Sequence, residues 1–245
     1  MADLTGKRAL VCGGTSGIGA ATAEALRDRG AAVTILARSA SGDAALACDL
    51  EDIDALTITI KKEIDANSAF EILINNSAGP PAGPLLEAAP ADFEKAMRRH
   101  LHASHTLVQL LLPGMRDAGY GRIINIISTS VKEPIPGLGV SNTVRGAMAA
   151  WAKTLARELP PGITINSVLP GFTATQRLEE LKHSLARQRG VSPAEVEAAW
   201  LATVPEGRLA QPSELGAVIA FLASPAAGFV RGVALPVDGG RLASI

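Results

Sequence analysis

Four glycines punctuate Gly13-Gly14-Thr15-Ser16-Gly17-Ile18-Gly19, directly after the apolar run Ala9-Leu10-Val11-Cys12. Glycine lets a backbone turn sharply and approach a pyrophosphate. A helix that starts there presents free N–H groups and a partial positive charge to the phosphates. The spacing is G-x-x-x-G-x-G, distinct from the G-x-G-x-x-G of other dinucleotide folds. A second apolar run ends at Leu36-Ala37-Arg38-Ser39, where an acid would hold the ribose hydroxyls of NAD. Arg38 instead offers a guanidinium, which matches a 2′-phosphate bidentately, so NADP is expected over NAD. Further on, Arg122-Ile123-Ile124-Asn125-Ile126-Ile127 delivers Ser128, and the helical segment after it carries Ser141 and, one turn later, Arg145.

These groups need a frame. Strand candidates are 8–12, 32–37, 44–48, 70–74, 122–128, 164–169 and 233–237. Helices are expected to begin near 17, 52, 91, 143 and 213. The strand runs are nearly continuous in apolar residues, as in strands covered on both faces. Alternation of strand and helix predicts an α/β fold with a doubly wound, Rossmann-type parallel sheet of these seven strands and helices on both faces. Val144, Met148, Trp151, Leu155 and Leu159 form one apolar stripe, which Pro160-Pro161-Gly162 stops. The segment 52–64 is less clean. Leu56-Thr57-Ile58-Thr59-Ile60 alternates like a strand, yet Lys61-Lys62-Glu63 and the need for a crossover favour helix.

No linker or repeat divides the chain, so residues 1–245 are read as a single domain. Within it, 176–207 breaks the rhythm with charged helical sequence, Gly190, Pro193 and a second helical pattern around Trp200. It follows a strand whose C-terminal end faces the ligand, and it reads as an insertion that covers the crevice. The 47 % hydrophobic content with 3 % aromatics requires a core built from Ala, Val, Ile and Leu. A net charge of −1 supplies no field for nucleic acid or an anionic membrane. Cys12 and Cys48 make no metal-ligand pattern and read as packing residues. Without an h-region near the start, or a run of about 18 apolar residues, a cytoplasmic setting is expected.

The same residues resemble the short-chain dehydrogenase/reductase family, and the likeness runs through nearly the whole chain. The turn 13–19 has the family's spacing. Cys48-Asp49-Leu50 resembles the segment that touches adenine, and Asn75-Asn76-Ser77-Ala78-Gly79 is similar to the family's Asn-Asn-Ala-Gly with one residue more. Thr164 to Gly171, followed by Thr175, resembles the strand and loop that hold the nicotinamide, and Val237-Asp238-Gly239-Gly240 resembles the closing signature. The resemblance implies a cofactor site of Gly13, Thr15, Ser16, Gly17, Ile18, Gly19, Arg38, Asp49, Leu50, Asn76, Ala78, Gly79, Arg145, Pro170, Gly171, Thr173 and Thr175. It also implies a small-molecule substrate and a homo-oligomer, tetramer or dimer.

The family's active site is an asparagine, a serine, a tyrosine and a lysine. Ser128 fits the serine. Counting back from Ala152-Lys153-Thr154-Leu155-Ala156-Arg157-Glu158 puts Ser141 at the tyrosine and Arg145 at the lysine, and His100 takes the asparagine position. The family's tyrosine exchanges a proton with the substrate oxygen, and its lysine depresses the phenol pKa from about 10. An alkyl hydroxyl is a far weaker acid and reaches less far. Arg145 keeps a positive charge for the ribose hydroxyls but is a poor base. Substitute proton donors are His100, Lys132, Glu133 and His183. Tyr120 lies before its strand, at the end of the sheet away from the crevice. Two readings follow: an NADP(H)-dependent oxidoreductase with an altered proton relay, or a catalytically silent NADP(H)-binding protein that acts as sensor or partner subunit.

Overall fold

The computed structural model describes residues 3–244. Seven parallel strands form one sheet: β1 (Arg8–Cys12), β2 (Ala32–Ala37), β3 (Ala45–Ala47), β4 (Ile72–Asn75), β5 (Gly121–Ile126), β6 (Ile163–Pro170) and β7 (Ala234–Val237). Their spatial order is β3-β2-β1-β4-β5-β6-β7. The order reverses between β1, which pairs with both β2 and β4, and the strands that follow. Crevices open at such a switch point, beyond the carboxyl ends of the strands.

Side chains alternate between two cores because a strand's period is two. Leu10, Leu36, Leu73, Ile123 and Ile165 face one layer, packed by α2 (Ile53–Ala66), α4 (Ala103–Asp117) and α5 (Gly139–Glu158). Ala9, Val11, Val33, Ile72, Ile74, Ile124 and Val168 face the other, packed by α1 (Gly17–Arg27) and α8 (Pro212–Leu222). Most of these side chains are fully buried, and each fully buried Leu or Ile contributes about 1.5–3 kcal/mol. Small residues and aliphatics make up nearly all of both layers, with Phe70 buried in the first and Tyr120 packed against the second, in keeping with the low aromatic content.

Three elements matter for the site. Between α3 (Pro90–Met97) and α4 the chain makes a π-helical turn over Arg98–His102, which the apolar periodicity of this stretch does not reveal. Ser128 lies beyond β5 and caps a short 3-10 turn, accepting a hydrogen bond from the Ser130 N–H at 3.0 Å. The segment 176–207 contains α6 (Gln176–Arg189) and α7 (Pro193–Leu201), which bury Leu178, Leu181, Leu185, Val196 and Trp200 against one another and Phe172. No helix among the described residues is long and apolar enough to cross a membrane.

Candidate active site

A crevice of about 600 Å³ runs across the carboxyl ends of the strands. Its centre is the turn after β1. Gly13 has φ +59°, and a Cβ on Gly19 would stand 2.1 Å from the Gly13 carbonyl oxygen. Only glycine allows this close approach. Asn76, at the end of β4, holds the turn by donating from Nδ2 to the Gly13 carbonyl at 3.1 Å. Ser16 precedes α1 without capping it through its side chain, so the first N–H groups of α1 are left to a ligand.

One end of the crevice is formed by Leu36, Ala37, Arg38, Ser39, Cys48, Asp49 and Leu50, from the ends of β2 and β3. Arg38 is exposed and has no ion pair among the described residues. The other end is formed by Ser77, Ile126, Ile127, Arg145, Pro170 and Gly171. Arg145 reaches there from α5 and donates from Nη1 to the Ile126 carbonyl at 2.8 Å, while its Nε is buried without a partner. Burial lowers its pKa to about 10, so it remains cationic at neutral pH.

The expected cofactor residues are brought together with two exceptions. Gly13, Thr15, Ser16, Gly17, Ile18, Arg38, Asp49, Leu50, Asn76, Ala78, Gly79, Arg145, Pro170, Gly171 and Thr175 all line the crevice. Gly19 and Thr173 do not. Gly19 serves close packing beneath the turn, and buried Thr173 donates its hydroxyl to the Gly171 carbonyl at 3.2 Å. The expected catalytic residues are more scattered. Arg145 is in the wall, but Ser128, Ser141 and His100 are not. His100 stands behind the wall, with Nδ1 2.6 Å from the Ser77 hydroxyl and Nε2 buried without a partner. Its pKa is lowered to about 2, first by burial, then by the charges of Arg145 and Arg99. It is therefore neutral at working pH. Lys132, Glu133 and His183 also lie outside the wall, and the Glu133 carboxylate accepts the Ala243 N–H at 3.2 Å.

Sequence reasoning left out Arg99, Gln176, Arg177 and Glu180, all of which line the crevice. Arg99 is swung there by the π turn, where it donates to the Ala78 carbonyl and pairs with Glu51. Arg177 donates to the Pro80 carbonyl at 3.1 Å, joining α6 to the loop after β4. Thr175 packs beside Gly17 at the phosphate turn: a Cβ on Gly17 would lie 3.3 Å from its methyl group. Only the position of 176–207 after β6 pointed to this contribution. Cys48 touches the crevice, yet burial raises its thiol pKa, consistent with a packing role.

The residues fit a dinucleotide: an uncapped helix start at the centre, a glycine cradle that a Cβ would fill, and, at each end, a guanidinium with no ion pair among the described residues. Comparisons with known proteins identify the family. A family profile described as enoyl-(acyl carrier protein) reductase matches residues 13–241. The 3-oxoacyl-[acyl-carrier-protein] reductase FabG of Vibrio harveyi is 33% identical over 252 residues, covering 97% of this chain and 98% of the relative. The short-chain reductase protein NovJ of Streptomyces niveus is 32% identical, covering 95% and 93%. Among solved structures, the L-sorbose reductase of Gluconobacter frateurii, complexed with NADPH and L-sorbose, superposes with a TM-score of 0.90 at 26% identity over 99% of both chains. YwfH, an NADPH-dependent reductase involved in bacilysin biosynthesis, gives 0.91 at 25% identity over 98% and 99%. With this fold, this crevice and these relatives, the chain belongs to the short-chain dehydrogenase/reductase family.

Proposed function

We propose that this protein is an NADP(H)-dependent oxidoreductase acting on a small carbonyl or alcohol substrate through an altered proton relay. The observation that carries the reading is the continuous wall from Arg38, through the 13–19 turn, to Arg145. Bound there, the cofactor would supply hydride chemistry. Arg38, with no acid at the end of β2, favours the 2′-phosphorylated form, and the NADPH named for both similar structures supports this. Arg145 holds the ribose at its end of the crevice, Ser128, which directly follows the wall residue Ile127, offers a hydroxyl to a substrate oxygen entering from that side, and neutral His100 orients Ser77. The insertion 176–207 covers the crevice.

One observation favours the silent binding protein as a second reading. The titratable groups of the wall are Arg38, Cys48, Asp49, Arg99, Arg145, Arg177 and Glu180, with no phenol or imidazole among them. A single experiment separates the readings. The protein is titrated with NADPH and NADH and then assayed against panels of carbonyls and alcohols. NADPH binding with turnover is expected; binding without turnover across the panel selects the second reading, and no binding of either nucleotide overturns both. In the active case, Ser141→Tyr with Arg145→Lys is expected to raise ketone reduction by about 10²–10⁴, the usual worth of one acid–base group.

A further inference from the structure

Arg145 carries a positive charge that nothing at its end of the crevice balances. It is buried, with only 8 % of its surface exposed. It makes no ion pair among the described residues. Its neighbours in the wall, Ser77, Ile126, Ile127, Pro170 and Gly171, are all uncharged. The two acids of the crevice, Asp49 and Glu180, lie on the segment after β3 and on α6, and Glu180 already pairs with Arg177. Tyr120, the only phenol of the chain, packs beneath the amino end of β5 with its hydroxyl on the Ala223 carbonyl. Among the described residues, none at this end of the wall can ionise to an anion beside Arg145.

The sheet order fixes what meets this charge. The phosphate turn follows β1 at the centre, Arg38 follows β2 on one side, and Arg145 faces the ends of β5 and β6 on the other. A dinucleotide with its pyrophosphate on the turn and its 2′-phosphate at Arg38 puts its nicotinamide half at the Arg145 end. Oxidised and reduced cofactor differ there by one charge, because the oxidised ring is a cation and the reduced ring is neutral. All other charged contacts are common to both forms. A fixed guanidinium in a weakly solvated wall repels the cation and leaves the neutral ring alone.

We infer that the site discriminates cofactor redox state, holding NADPH in preference to NADP⁺ through the uncompensated charge of Arg145. The inference rests on the NADP(H) reading above and names its ligand state. It makes the protein a reader of the NADPH/NADP⁺ ratio whether or not turnover follows. It also gives the buried guanidinium a purpose, since an unpaired charge in such a place is otherwise a burden on the fold.

The test is equilibrium binding of NADPH and NADP⁺ to the full-length protein, by calorimetry or ligand fluorescence, at neutral pH and moderate salt. The expected dissociation constant for NADP⁺ is at least about tenfold above that for NADPH, a conservative figure for like charges in a protein interior. Arg145→Met and Arg145→Gln are expected to bring the ratio toward one, and Arg145→Lys to retain it. The two neutral variants guard against one of them failing to fold. A ratio below about tenfold in the unmodified protein, with both forms bound, overturns the inference and leaves the functional reading standing. Binding of neither form overturns the functional reading itself. A ratio unchanged by the neutral variants, or abolished equally by Arg145→Lys, removes the charge of Arg145 as the cause.

Discussion

His100 shows what burial does to a residue that titrates near neutrality in water. Its ring is 3 % exposed, bonded to Ser77 on one side and unpartnered on the other, and its pKa falls to about 2. The unfolded chain binds a proton at this residue below about pH 6.5, whereas the folded chain does not. Stability is therefore full above that pH and falls as pH drops through the window down to about 2. At about pH 4.5 the loss from this residue is about 2–3 kcal/mol. His100→Asn keeps a partner for Ser77 and removes the titration. Denaturant unfolding at neutral and mildly acid pH should show that the variant loses about 2–3 kcal/mol less than the parent. Equal losses in the two proteins would sink this account. The positions of the 13–19 turn and of Arg38 on the crevice were legible in the sequence because their signals are local: a glycine spacing, and a charge at a strand end. The placing of His100, Ser128 and Ser141 behind or beside the wall was not, because it depends on the turn after β5 and on a π turn that no periodicity announces.

Elements were legible wherever one periodicity dominated. In α2 the alternation at Leu56-Thr57-Ile58-Thr59-Ile60 competed with a helical reading, and the helix formed. Asp52 caps it by accepting the Ala55 N–H at 2.9 Å, and Leu56 and Ile60, one turn apart, are buried while Ile58 is 68 % exposed. The helix expected near 143 begins earlier, at Gly139, because Val140 extends the buried stripe by a turn and Asn142 donates to the Ile135 carbonyl at 2.9 Å. The break between α6 and α7 was legible from Gly190, which ends α6 in the left-handed conformation, and from Pro193, which starts α7; the structure adds the Ser192 and Glu195 capping box at that start. What could not be seen was the reach of Arg177 from α6 to Pro80. This link, together with the closeness of Thr175 to Gly17, seats the start of α6 beside the 13–19 turn and the loop after β4. Arg177→Ala should leave the sheet intact and loosen α6. Stopped-flow displacement is expected to show NADPH release accelerated by about five- to tenfold, the effect of one charge-assisted hydrogen bond of about 1 kcal/mol or slightly more. Hydrogen exchange in 176–189 should rise in the cofactor-free protein. Unchanged release and exchange would show that α6 is held by other contacts.

Across the whole molecule, stability and ligand binding are divided between the two ends of the sheet. At the amino end, Arg122 is buried but satisfied, donating to the carbonyls of Gly121, Gly162 and Ser224 and lying over the Tyr120 ring. At the carboxyl end, Asn75, Asn125, His100, Ser130, Arg145 and Arg241 each leave a buried polar atom without a partner, whereas Thr164 is the one such residue at the amino end among the described residues. Unmatched polar groups concentrated toward one end mark where a fold gives up stability for a ligand. Arg145 makes this measurable. The fall of its pKa to about 10 corresponds to a penalty of roughly 3 kcal/mol for holding the charged form in the folded chain. The sign is set by desolvation: the folded state binds the proton less tightly than the unfolded one, so the penalty is complete at neutral pH and is relieved only in strong alkali. Arg145→Met fills the same space without a charge. It forfeits the bond to the Ile126 carbonyl, worth about 1 kcal/mol, so a net gain of about 1–2 kcal/mol is expected. For a chain of this length that raises the cofactor-free Tm by about 2–8 °C. Scanning calorimetry without nucleotide is the measurement, and an unchanged or lowered Tm would show that Arg145 supports the fold by itself. A raised Tm, in a variant that also fails to separate NADPH from NADP⁺, would show that the charge is retained for the ligand at the expense of the fold.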